Sequence, residues 1–246
     1  RARAAVQTTL AELLRARGDL EQAQSFYEKA LRTAHELEDS FMISGGLLGL
    51  GMVAMERGDF EEALELVERS RALREQLGNL NALTSCVLNL AYIHRHQGTT
   101  ERAEALFLEG LGLAQKLRLS HHVMLAHQNL GLVRIAQGRH LAAIEDLDEA
   151  LEQARASKKS GYTLSCHISL LLPLASTAQW LIWDHHLARV LSMWTDTMPY
   201  PQNMLELLEA TILLCDEASQ PERSQCIRTL SERLRNAIND QDSTEV

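Results

Sequence analysis

Apolar residues recur at three- and four-residue steps along most of the chain, interrupted by short polar turns. In AELLRARGDLEQAQSFYEKAL, residues 11–31, the steps run on both sides of Gly18, which predicts two amphipathic helices joined there. The arrangement returns downstream in one register. Glycine stands at 18, 58, 98 and 138, an interval of 40 each time. Leu10, Leu50, Leu90 and Leu130 come eight residues earlier, each followed by a small residue: Ala11, Gly51, Ala91 and Gly131. Ala23, Ala63, Ala103 and Ala143 come five residues after the glycines. Four columns in one register identify a repeat protein.

Each glycine suits a helix C-terminus, where the left-handed conformation carries no side-chain penalty. Asp19 follows as an N-cap with Gln22 in capping-box spacing, and Gly58, Asp59 and Glu62 repeat that punctuation. Thr99 takes the cap position in the third repeat; the fourth has Arg139 and His140 and lacks the usual cap. The small columns let paired helices approach to about 8–10 Å, with the leucines filling the space between.

These residues resemble the tetratricopeptide repeat. Gly18-Asp19, Ala23, Tyr27 and Ala30-Leu31 match it in the first repeat, and Leu50-Gly51, Gly58-Asp59 and Ala63 in the second. Ala103 with Phe107 and Ala150-Leu151 match in the third and fourth. The ordinary repeat has about 34 residues, so the longer interval adds about one and a half helical turns. That form is similar to repeats of bacterial signalling regulators of the maltose-regulon activator type, kinesin light chains and spindle-orientation adaptors. ALRTAHELED and RALREQLGN are most similar to the bacterial regulators.

The resemblance implies an all-α fold, a right-handed α-solenoid of helix–turn–helix repeats with about six helix pairs, the last two divergent. Residues 1–159 are expected to hold four regular repeats, 160–237 divergent helical repeats forming a cap, and 238–246 a frayed acidic tail. Leu170 keeps the register, but Ala178 replaces the glycine. WDHHLARVL, residues 183–191, reads as a shifted turn and second helix, with Asp184 capping and Ala188 at the close contact. A last pair is expected at 202–218 and 221–237, with Pro221 at a helix start.

Charge and composition narrow the function. A net charge of −9 argues against direct nucleic-acid binding. Cys86, Cys166, Cys215 and Cys226 show no CxxC spacing, which points to a reducing cytoplasm. Cys215 and Cys226 could approach across the last hairpin, but separate structural thiols are the default. Residues 160–183 carry no Asp, Glu, Lys or Arg, yet they include His167, Pro173 and Gln179 and keep the repeat register. A buried repeat helix is therefore expected there rather than a membrane span. The chain opens RARAAV, without Met and already in helical pattern, as expected of a segment of something longer.

The resemblance places the first helix of each pair along a concave groove. Residues expected to face it include Glu12, Leu88 and Ile135 and a candidate peptide-binding set: Arg15, Met52, Met55, Asn89, Tyr92, Arg95, Gln128, Asn129 and Leu132. Asn89 and Asn129 resemble the asparagines by which long-repeat members grip an extended peptide backbone, since an amide offers donor and acceptor together. Thr9, Gly49 and Ser169 hold the equivalent sites, and the competing reading is that both asparagines bond their own scaffold. The Lys/Arg/Asn set that clamps a C-terminal carboxylate in chaperone-binding relatives is missing, which favours an apolar or amphipathic peptide.

The leading expectation is a non-catalytic scaffold that binds a peptide or partner domain in this groove. The alternative is a regulatory or sensor region of a larger bacterial signalling protein, a STAND-type ATPase, transcription activator or Ser/Thr kinase, binding an effector or controlling the upstream module. No cofactor, metal or catalytic set is expected, and a homodimer is left open. The Gly49–Ala54 stretch matches a dinucleotide fingerprint, but its glycines fall inside a helix. The pairs His94/His96, His121/His122 and His185/His186 point to different sides of a helix and do not converge on a metal. Trp180, Trp183 and Trp194, with Tyr200 behind them, suit sealing of the cap more than an interface anchor. The terminal Thr-Glu-Val resembles a PDZ ligand only weakly.

Overall fold

The computed structural model describes residues 2–194 and 203–243 and is all-α throughout them. Its helices are α1 (Ala2–Ala16), α2 (Leu20–Glu36), α3 (Ser40–Arg57), α4 (Phe60–Gln76), α5 (Leu80–His96) and α6 (Thr100–Lys116). They continue as α7 (Ser120–Ala136), α8 (His140–Ala156), α9 (Ser160–Ser176), α10 (Trp180–Met193), α11 (Asn203–Glu217) and α12 (Pro221–Ser243). Tyr200 and the terminal Thr-Glu-Val lie outside the described residues.

One turn geometry recurs every 20 residues, twice as often as the glycine column. Left-handed φ angles occur at Gly18, Glu38, Gly58, Gly78, Gly98, Arg118, Gly138, Lys158 and Ala178. At each, the following amide donates to the carbonyl five residues back, as in Asp19 to Leu14 (3.0 Å), Asp39 to Ala34 (3.0 Å) and Gln179 to Leu174 (2.9 Å). This bond satisfies a carbonyl that the helix end would leave orphaned. Helix starts are more varied. Asp19 accepts from the Gln22 amide at 3.1 Å and from its side chain at 2.5 Å, and Asp39 and Asn79 cap α3 and α5 in the same way. Asp59, Thr99 and Arg139 stand at N-cap positions without a side-chain cap bond.

The expected shift of the turn to Trp183-Asp184 is wrong. Ala178 adopts φ 55° where a glycine would sit, Gln179 is the N-cap residue, and α10 starts at Trp180, so Asp184 lies inside the helix. Ala188 is exposed rather than at a close contact. The chain keeps its 20-residue turn because the backbone hydrogen bonds set it, and alanine accepts the strained φ. α12 also runs through Ser243, beyond the expected end at 237.

The chain forms two compact units, residues 1–122 and residues 123–246. In the first, consecutive helices from α1 to α6 pack on one another. A Cβ on Gly49 would stand 2.2 Å from the Tyr27 ring, and one on Gly51 would stand 2.7 Å from Val67, so α3 requires bare backbone at both positions. These contacts account for the glycines of the fingerprint-like stretch. In the second unit, Gly131 meets Leu147 in the same manner at 2.6 Å. Here α9 packs on α8, α10 and α11, and it is buried continuously from Thr163 to Ala175. Leu171 and Trp183, both 0% exposed, occupy the columns that hold small residues in the earlier pairs. No helix among the described residues is long and apolar enough to cross a membrane.

Candidate functional site

Glu12 and Glu56 are the only carboxylates on α1, α3, α5, α7 and α9. By contrast α4 carries Glu61, Glu62, Glu65, Glu68 and Glu75, and α8 carries Glu145, Asp146, Asp148, Glu149 and Glu152. From α1 to α9 the helix carboxylates other than Glu12 and Glu56 therefore sit on the second helices α2, α4, α6 and α8; beyond α9 this segregation ends, since α10 carries Asp184 alone and α11 carries Glu206, Glu209, Asp216 and Glu217. Such segregation lowers the local repulsion toward an acidic segment at the surface of these first helices.

In unit 1, Arg15 of α1 pairs with Glu56 of α3 and also hydrogen-bonds Tyr27. Burial opposes the Arg15 charge, but Glu56 and Tyr27 outweigh it and hold the guanidinium above its usual pKa. Met52 and Met55 are half-buried on α3. On α5, Tyr92 packs on His96 at 4.3 Å, Phe60 of α4 stacks on the same ring at 5.5 Å, and the Arg95 guanidinium lies 5.0 Å over the Tyr92 ring. That cover, followed by the charge of Arg95, lowers His96 to about 4. Asn89 is half-buried and donates to the Ser85 carbonyl of its own helix at 3.0 Å. Leu88 is buried against the backbone of Gly110.

In unit 2, Asn129 repeats the pattern, donating to Leu125 at 2.8 Å. Both asparagines thus give one N–H to their scaffold. Among the described residues, each keeps its oxygen and second N–H for another partner. Leu132 is half-buried, and Ile135 packs against the core cluster around α9. Gln128 is 8% exposed and donates to Ser165 at 2.7 Å, so its amide holds α7 to α9. Asp146 accepts from Arg134 at 2.5 Å and stands 3.0 Å from His127 Nδ1.

The tryptophans belong to the packing. Trp183 and Trp194 are buried, and Trp180 is half-buried with the Arg223 guanidinium 5.2 Å over its ring. Arg223 of α12 also bonds Asp184 of α10 at 2.6 and 2.8 Å, and this hydrogen bond holds the Asp184 carboxyl below its usual range. Cys86, Cys166 and Cys215 are buried free thiols, and Cys226 is an exposed one. No group of three His, Cys, Asp or Glu among the described residues could hold a metal ion. A contact absent from the sequence expectations is His167 of α9 against His186 of α10, with their Nδ1 atoms 2.8 Å apart. The signal was present: the pair repeats His127/Asp146 at the 40-residue interval.

The family model of the MalT-like TPR region matches residues 3–178. No curated protein matches the chain. Among solved structures, BtubC from P. vanneervenii is similar, with TM-score 0.69 and 17% identity over 89% of this chain and 92% of that one. A Rap protein complexed with Competence and Sporulation Factor gives TM-score 0.71 and 13% identity over 96% of this chain and 75% of that one. A signal transduction ATPase with numerous domains and a tetratricopeptide repeat sensor, from Pyrococcus horikoshii, gives TM-score 0.73 and 12% identity, covering 97% of this chain and 38% of that one. At these identities the likeness is one of fold, the helical repeat solenoid.

Proposed function

Since the chain belongs to the family of MalT-like TPR regions, we propose that it is a non-catalytic binding region whose first-helix faces take up an apolar or amphipathic peptide or partner-domain segment. The observation that carries this reading is the segregation of charge. The first helices α1, α3, α5 and α7 carry only Glu12 and Glu56 as carboxylates and present thioethers, an aromatic ring and amides instead. Met52, Met55 and Leu132 would supply adaptable apolar contact and Tyr92 a flat anchor. The remaining donor and acceptor of Asn89 and Asn129 would bond the peptide backbone. Arg15 and Arg95 would line the same faces, while Gln128 would act from beneath by fixing α7. In this reading residues 1–159 provide the repeats and the helices from residue 160 onward act as a terminal cap. The free thiols favour a cytoplasmic setting.

A second reading makes the region the sensor of a larger bacterial signalling protein. Its support is the similarity to the tetratricopeptide sensor of the STAND ATPase and to the factor-bound Rap protein. Both readings need the same surface. The test is the Asn89→Ala/Asn129→Ala double variant, measured for affinity to the protein or peptide that co-purifies with the wild-type chain. Each asparagine should contribute about 1 kcal/mol, so the pair should weaken binding about tenfold or more. Unchanged affinity in a folded double variant rejects the asparagine contact.

A further inference from the structure

His167 and His186 are 0% and 6% exposed, with Nδ1 to Nδ1 at 2.8 Å. Arg155 of α8 aims a guanidinium nitrogen at His167 Nε2 from 3.3 Å. A guanidinium only donates, so His167 Nε2 accepts and its proton resides on Nδ1. His167 Nδ1–H then donates to His186 Nδ1, and the His186 proton resides on Nε2. This one assignment satisfies the whole line from α8 through α9 to α10, with both rings neutral. A further proton on His167 Nε2 would face Arg155 donor to donor. A proton on His186 Nδ1 would face His167 Nδ1–H, and moving that proton to Nε2 recreates the clash at Arg155.

We propose that the His167–His186 pair is an acid-sensitive joint, closed while both rings are neutral and opened by a proton on either, which frees α10 from α9. The groups around it favour that outcome. Arg155 from α8 and His185 and Arg189 from α10 all oppose a positive ring. α11, which also packs on α9, buries Met204, Leu208, Thr211, Ile212 and the Cys215 thiol, while its carboxylates Glu206, Glu209, Asp216 and Glu217 are exposed. On α7 the Arg134 guanidinium and the His127 ring are engaged with Asp146. Cys166, beside His167 on α9, is a buried thiol pushed up to about 12.

The pair one repeat earlier shows the contrast. At the same register positions stand Val87 and Leu106, then His127 and Asp146, then His167 and His186. The first is apolar and indifferent to pH. In the second, a carboxylate oxygen of Asp146 stands 3.0 Å from His127 Nδ1. Among the described residues no carboxylate bonds the third pair, and the carboxylate of Asp148 on α8 acts on Arg155 and on Cys166 instead. Burial, then His186, hold His167 down to about 3, and burial, then His185, hold His186 down to about 4. An unfolded histidine titrates near ~6.5. The folded rings therefore bind fewer protons than the unfolded ones below that value. Their contribution to stability is whole above ~6.5 and is lost as pH falls toward the folded values.

The test is equilibrium unfolding of the full chain followed by tryptophan fluorescence, since Trp180, Trp183 and Trp194 all lie in unit 2. Between pH 8 and pH 5 the wild-type unfolding constant should rise about tenfold or more. His167→Val/His186→Leu, which installs the Val87/Leu106 filling, should remove most of that rise. His186→Asp, which installs the carboxylate joint, should flatten or reverse it. His35→Asn, at an exposed histidine of α2, is the control and should leave the rise in place. Equal pH dependence in the wild type and the Val/Leu variant overturns the proposal. If that variant does not fold, the imidazole proton resonances of His167 and His186 in the wild type decide: midpoints near ~6.5 overturn it, and midpoints well below support it.

Discussion

In α5–α6 the two helices meet across Ala91 and Ala103; in α9–α10 the equivalent positions hold Leu171 and Trp183. The consequences reach the opposite face of each first helix. On α5, Asn89, Tyr92 and Arg95 are half-exposed, a surface a partner can reach. On α9, the register equivalents Ser169, Leu172 and Ala175 are 1%, 7% and 6% exposed. There α9 is enclosed by helices of its own unit, α11 among them. A helix pair closed by small residues leaves one face of its first helix open. A pair filled by large residues needs further helices to cover it, and its face is used for packing.

The sharpest way to break this contrast is Trp183→Ala, which gives α10 the alanine that α2, α4, α6 and α8 carry at that column. The ring is fully buried in the core cluster with Leu187, Val190 and Leu208. If an alanine alone made a regular pair, the variant would be tolerated. The cavity argument says otherwise, because Leu171 cannot follow the lost ring, and predicts a loss of about 3–5 kcal/mol. Chemical denaturation with a fixed m-value measures it. A loss below about 1 kcal/mol would show that α9 and α10 can close on each other like the earlier pairs.

Gly49→Ala tests the other side of the comparison, the closeness that the regular pairs require. The new methyl meets Tyr27 at 2.2 Å, and the ring is pinned in the small core of Ala11, Ala23 and Val53. The expected cost is about 1–3 kcal/mol. Tyr27→Leu in the same chain should recover part of it, and the coupling between the two substitutions reports the contact directly. Additive effects would mean that α3 shifts away from α2 without strain.

These two sites also show what could be read from the residues. Small columns and glycines at 40-residue spacing announce the regular pairs, because close approach and left-handed turns each favour few residue types. The turns at Glu38, Arg118 and Lys158 gave no such sign, since their side chains tolerate the same φ at some cost and carry no compositional mark. Trp183 misled for a related reason: it stands in an alanine column, and the nearby Asp184 has the look of a cap, although its carboxylate reaches Arg223 on α12. Gln128 was legible as a first-helix position but not as a scaffold amide, because its partner Ser165 belongs to the next repeat. The asparagines were legible as first-helix positions, and the bond each makes is to a carbonyl of its own helix, as in the competing scaffold reading.

The smallest expected effect concerns the turn that both kinds of pair share. Ala178 is exposed and sits at φ 55°, where Gly138 sits at φ 71° one repeat earlier. The bond from Gln179 to Leu174 is made in either case, so Ala178→Gly removes no packing and no hydrogen bond. The left-handed penalty for alanine is about 1–2 kcal/mol, and glycine returns part of the gain through the greater freedom of its unfolded chain. A net stabilisation of about 0.5–1 kcal/mol follows. Gly138→Ala should destabilise by a similar amount, read in the same denaturation experiment. If Ala178→Gly instead destabilised the chain, the alanine methyl would be holding a contact at the turn, and the α9–α10 pair would differ from the regular pairs in its backbone as well as in its filling.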